Sequence, residues 1–124
     1  MADIKPTKLS ERCNATFMLA LNDTLNVLSG KWKLHIMGAL LDGKKRFTEI
    51  ENSIPKINPR MLSKELKELE VNGIVLRTVR NTIPVAVEYE LTKSGYSIGD
   101  VLDVMVEWGL QHRKLVMGKK TKAA

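Results

Sequence analysis

The chain has a single cysteine, Cys13, among its 124 residues. An intrachain disulfide is excluded, and so is a thiolate-rich metal site. Aromatic residues make up only 5% of the sequence, so any core must be assembled from leucine, valine, isoleucine and methionine. Residues 1–12 are polar and lack the apolar block of a secretory signal. The longest apolar runs fall short of the roughly 20 residues that a membrane helix needs. Glycine-rich phosphate loops are missing. The only histidines, His35 and His112, have no second ligand at metal spacing. No pair of carboxylates stands apart as acid and base, and Ser63 has no base nearby. These gaps leave a small cytoplasmic protein, with no membrane partner, no cofactor and no catalytic constellation, as the simplest expectation.

What the chain does have is positive charge and aliphatic residues. Its net charge is +6 and its pI about 9.6. That balance favours a polyanionic partner, either nucleic acid or an anionic surface. Part of the excess sits in a tail bearing Lys119, Lys120 and Lys122. Hydrophobic residues at 44% suffice for one domain. The expected division is a lead-in over 1–12, a domain over 13–117 and a basic tail over 118–124.

Periodicity places the elements. Phe17, Leu21, Leu25 and Leu28 recur at helical spacing, and Ser29-Gly30 ends that helix. A second helix is predicted from about Lys31 to Leu41, with Trp32, Ile36, Ala39 and Leu40 inward; Asp42-Gly43 closes it. Phe47, Ile50 and Ile54 mark a short third helix, which Pro55 stops. Asn58 is a good N-cap and Pro59 suits the first helical position. The fourth helix then carries an apolar stripe of Met61, Leu62, Leu66 and Leu69, and Gly73 offers the left-handed exit. From Ile74 the pattern changes. Residues 74–80 and 85–91 are β-branched and partly alternating, two strands joined by a short polar loop. Tyr89 is expected to be buried at the base of this hairpin. Thr92 caps a last long helix with Ile98, Val101, Leu102, Met105 and Trp108 on one side, ending near Met117.

Two short helices, the second basic, followed by a hairpin are the layout of a winged helix-turn-helix: mainly α, with a small β-hairpin. An α-helix fits the DNA major groove. Arg60, Lys64 and Lys67 stand at i, i+4 and i+7 and share one face, with Asn58, Met61 and Ser63 close to them. The acidic residues Glu65, Glu68 and Glu70 crowd the C-terminal half, so the N-terminal half is expected in the groove. Arg77, Arg80, Asn81 and Thr82 supply a polar, cationic wing. Lys44, Lys45 and Arg46 form a third basic cluster, and Lys31 a further backbone contact.

The ordered set strongly resembles the HxlR-type winged helix-turn-helix transcriptional regulators, bacterial relatives of the MarR group. The resemblance runs through Gly30-Lys31-Trp32, Arg46-Phe47, Glu49-Ile50, Ile54-Pro55, Met61-Leu62-Ser63, Glu68-Leu69-Glu70 and Gly73. It continues in the wing through Pro84, Val87, Tyr89, Leu91-Thr92 and Gly95, and ends at Trp108-Gly109. It covers roughly residues 25–112. The resemblance implies a homodimer bound to a pseudo-palindromic DNA operator, with recognition helices about 34 Å apart. It implies dimer contacts through the first and last helices, here Phe17, Leu21 and Leu25 with Val101, Leu102, Met105 and Trp108. It also implies a small-molecule or electrophile effector, with Cys13 as a candidate redox sensor. In this sequence Cys13 is followed by Asn14, where family members commonly have proline. A competing reading keeps the winged-helix shape as a protein-interaction module without DNA binding.

Overall fold

The computed structural model describes residues 14–123, with side chains as far as Gly118. Cys13, the remaining lead-in and the side chains of the terminal lysines lie outside the described residues. The chain forms α1 (Ala15–Leu28), α2 (Lys33–Leu40), β1 (Lys45–Arg46), α3 (Phe47–Ser53), α4 (Pro59–Val71), β2 (Val75–Arg80), β3 (Ala86–Leu91), α5 (Lys93–Ser97) and α6 (Gly99–Ala123). This is the winged helix-turn-helix expected from the layout: mostly helical, with a small antiparallel sheet.

The helix ends follow local chemistry. Asn58 Oδ1 accepts from the Met61 N–H at 2.8 Å, satisfying a free amide of the first turn of α4. At the other end the Ile74 N–H donates to Leu69 O at 2.9 Å and the Gly73 N–H to Glu70 O at 3.1 Å. These two bonds are a Schellman closure, and it needs Gly73 at φ +74. Asn14 caps α1 in the same way as Asn58, accepting from the Phe17 N–H at 2.7 Å. The turn between α3 and α4 holds Lys56 at φ 70, in the left-handed region.

The core gathers Ile36, Met37 and Leu40 of α2, Ile50 of α3, Leu62, Leu66 and Leu69 of α4, and Val75 and Leu91 of the strands. Burying three leucines from α4 alone contributes roughly 5–8 kcal/mol before chain entropy is counted.

Several elements differ from the sequence expectation. The sheet has three strands in the order β1-β3-β2, so the wing is not a bare hairpin. Lys45 and Arg46 pair with Tyr89 and Glu88. Helix α2 begins at Lys33, not Lys31; its inner face uses Lys33 and Met37, while Ala39 is only half-buried. Met61 is 38% exposed and lies off the leucine stripe. Tyr89 is half-buried at the sheet. The final helix is two pieces. Thr92 caps α5, its Oγ1 accepting from the Gly95 N–H at 3.1 Å, and the chain breaks at Ile98 before α6. Helix α6 continues through Ala123, past the expected end at Met117.

Gly95 explains the break's tight packing. A Cβ there would stand 2.5 Å from Ile74 O and 3.0 Å from Leu91 Cδ2. Gly95→Ala should therefore destabilise the fold by about 1–3 kcal/mol despite alanine's better helix propensity. Urea denaturation checks this, and an unchanged or raised midpoint would show that the α5–sheet contact relaxes freely.

Candidate nucleic-acid interface

Helix α4 divides its side chains cleanly. Leu62, Leu66 and Leu69 are at most 1% exposed, whereas Arg60, Ser63, Lys64 and Lys67 are all exposed. The cations lie on the side opposite the leucines, and Val71, 78% exposed, extends the same face. Asn58 is exposed at the helix N-terminus, where the positive end of the helix dipole favours an anion. Arg60, Ser63, Lys64 and Lys67 thus share one solvent face, with Asn58 at the N-terminal end of the helix and Met61 at the flank.

The other expected basic residues divide differently. Arg77 is exposed on β2, and Asn81 and Thr82 are exposed at the wing tip. The tip is braced locally: Thr82 Oγ1 donates to Pro84 O at 2.7 Å and the Thr82 N–H to Arg80 O at 2.8 Å. Arg80 is tied to Glu88 across the hairpin, so part of its charge is already answered within the wing. Lys44 and Arg46 are exposed and Lys45 is half-buried beside β3. Lys31 stacks its ammonium 4.9 Å from the Trp32 ring.

Sequence reasoning missed the residue that organises the inner flank of α4. Lys33 is 5% exposed, the only buried charged residue among those described. Its Nζ donates to Glu65 Oε2 at 2.7 Å and to Glu68 Oε2 at 2.5 Å. Two of the three glutamates of the C-terminal half of α4 are thereby drawn toward α2. Burial alone would lower the Lys33 pKa, but hydrogen bonds and charge from both glutamates outweigh it, and the net shift is upward. The hydrogen bond from Lys33, then its charge, holds the Glu68 carboxyl below the usual carboxylate range.

The apolar faces proposed for self-association also separate. Helix α1 has no buried residue; Leu21 is 42% and Leu25 54% exposed, while Phe17 is half-buried. On α6, Met105 is 45% and Trp108 64% exposed, and Trp108 stacks on His112 with ring centroids 4.9 Å apart. Val101 and Leu102 do not join this exposed face fully. Both are half-buried, and Leu102 packs against the chain's own core because α6 begins beside α2. No group of three or more metal-ligating side chains exists among the described residues, and no described helix is long and apolar enough to cross a membrane.

The HxlR-like helix-turn-helix family model matches residues 27–117, from the end of α1 into α6. The chain belongs to the HxlR-like helix-turn-helix family. Among similar proteins, the HTH-type transcriptional regulator YtcD of Bacillus subtilis is 40% identical over 102 residues, covering 82% of this chain and 81% of YtcD. The redox regulator HypR in its reduced form superposes with a TM-score of 0.74 at 40% identity, covering 80% of this chain and 98% of HypR. Quinone-bound YodB of B. subtilis superposes with a TM-score of 0.65 at 38% identity, covering 75% of this chain and 98% of YodB. The relatives of this HxlR-like chain are transcriptional regulators, and HypR is a redox regulator.

The ion cluster gives a pH signature. Glu68, shifted down, adds stability above the ordinary carboxylate range and loses it as pH falls through the shifted value. Lys33, shifted up, adds stability below its ordinary value and loses it as pH rises through the shifted one. Lys33→Met strands two carboxylates at neutral pH. Its stability deficit, measured by urea denaturation, should narrow between about pH 7 and about pH 3 as the Glu68 carboxylate takes up a proton. A deficit constant across that range would mean that Lys33 acts through packing alone.

Proposed function

We propose that the protein is a sequence-specific DNA-binding transcription regulator that acts as a homodimer on a pseudo-palindromic operator. The observation that carries this reading is the division of α4: three leucines seal it to the core while Arg60, Lys64 and Lys67 face solvent together. The N-terminal half of α4 enters the major groove, with Asn58, Arg60, Met61, Ser63, Lys64 and Lys67 near base edges and phosphates. Arg77, Asn81, Thr82 and the Glu88-tethered Arg80 bring the wing to the flanking backbone. Lys31, Lys44, Lys45 and Arg46 add phosphate contacts. The reading as a winged-helix protein-interaction module gains nothing from this geometry, since a cationic solvent face opposite a sealed stripe matches a polyanion better than a neutral protein surface.

Dimerisation uses the exposed faces of α1 and α6, including Leu21, Leu25, Met105 and Trp108. Phe17, Val101 and Leu102 support those faces from their inner edges. Selection of bound sequences from a random DNA pool tests binding, half-site symmetry and spacing together. On a selected site, Arg60→Ala and Lys64→Ala should each lose about 1–3 kcal/mol of affinity, with a shallower salt dependence for whichever residue meets phosphate. Unchanged affinity in both variants would remove α4 from the interface.

We further propose that an electrophile or oxidant acts through Cys13, as the redox regulator HypR and quinone-bound YodB suggest by similarity. With one thiol per chain, oxidation joins two subunits or leaves a mixed adduct. Diamide or a quinone should weaken operator binding by wild type and leave Cys13→Ser unaffected. Equal responses of the two proteins in a gel-shift assay would end this role for Cys13.

A further inference from the structure

Lys33 belongs to no expected contact surface, yet it is the charged residue the fold buries most completely among those described. Both of its partners come from the helix whose outer face is cationic. Glu65 is well covered, its side chain 12% exposed; Glu68 lies at the rim, its side chain 43% exposed. Glu68 stands four residues after Lys64, one helical turn away, the spacing at which a lysine and a glutamate on one helix pair. The Lys64 charge already contributes to holding the Glu68 carboxyl ionised. Glu68 therefore has two available cations, one behind α4 and one on its outer face.

We propose that Lys33 is a positioning residue for DNA recognition: by holding Glu68 against α2, it keeps Lys64 free on the outer face. The inference rests on the reading of α4 as the DNA-contacting helix. Without Lys33, the half-exposed Glu68 turns to Lys64 and satisfies the cation that a phosphate or base edge would otherwise engage. Glu65 fixes the Lys33 ammonium in place, because its largely covered carboxylate lies within a hydrogen bond of Nζ. The arrangement lets acidic residues remain on a DNA-binding helix without spoiling its cationic face.

The test is a substitution cycle on the full chain with a DNA site selected from a random pool. Glu65→Gln is present throughout, so that loss of Lys33 strands no largely covered charge. With Lys33 present, Glu68→Gln changes affinity by less than about twofold. With Lys33→Met, the same substitution raises affinity about five- to tenfold, because it releases Lys64. A purely structural role for Lys33 would move the melting temperature but leave the effect of Glu68→Gln equal in both backgrounds, and that equality overturns the proposal. A second measurement needs no DNA: the Glu68 carboxyl is titrated by carbon NMR with and without Lys64→Ala. Lys64→Ala raises the Glu68 titration in both backgrounds, and clearly more with Lys33→Met than when Lys33 is present. Identical behaviour in the two backgrounds overturns the exchange of partners. A clear difference alongside a wild type that selects no DNA sustains the exchange and retires the DNA reading instead.

Discussion

Everything at the candidate interface depends on the seal between α4 and the core. Leu62, Leu66 and Leu69 insert among residues from α2, α3 and the strands, and none is more than 1% exposed. A helix of 13 residues is marginal in water on its own, so this packing, more than intrinsic propensity, keeps α4 helical. It also fixes the rotation of α4 about its axis. Once three leucines at spacings of four and three are committed inward, Arg60, Lys64 and Lys67 can only project outward. The chemistry of the outer face is a consequence of what is buried behind it.

Rotation alone does not decide the charge of that face. Helix α4 carries three glutamates besides its cations, and on a freely solvated helix they would cancel locally. Lys33 changes this by drawing two of them to the flank. The cost of taking an ammonium out of water is offset because its partners are hydrogen-bonded to it at 2.5 and 2.7 Å. Sheet and wing treat charge in the same way: Arg80 is held by Glu88, while Arg77 stays open. In both places an ion pair within the fold selects which cations remain available to a partner.

The parts of this organisation governed by near neighbours were legible in the sequence. Asn58 and Pro59 announce the start of α4, Gly73 its end, and the switch from helical to alternating periodicity marks the wing. The leucine stripe and the cation spacing follow from a period that needs no knowledge of the rest of the fold. What could not be read depends on distant partners. Strand β1 is only Lys45 and Arg46, and it exists because Tyr89 and Glu88 lie opposite it. Lys33 resembles an ordinary helix lysine, since Glu65 and Glu68 are 32 and 35 positions away. Met61 fits the apolar spacing as well as its neighbours do, yet it falls at the stripe's edge, where the body of the domain no longer covers it. The close approach of Gly95 to the Ile74 carbonyl, in the short piece that precedes the split of the last helix, is again a tertiary contact.

The terminal helices pose the remaining physical problem. On α1, Met18, Leu21 and Leu25 stand at helical spacing on one face and are each at least 42% exposed. On α6, Val104, Trp108 and Leu115 repeat along another, each at least 64% exposed. Scattered apolar residues on a surface require no explanation, but two aligned faces of this length do. Helix α6, at 25 residues, extends about 37 Å, well beyond what its contacts with α2 and α5 can cover. A second copy of the chain is the simplest cover, because a two-fold axis lets each face meet an equivalent one. Half-buried Leu102 then plays a separate part, joining the root of α6 to the same core that holds α4. Through that root, the separation of two recognition helices across a dimer would be set by packing rather than by a flexible linker.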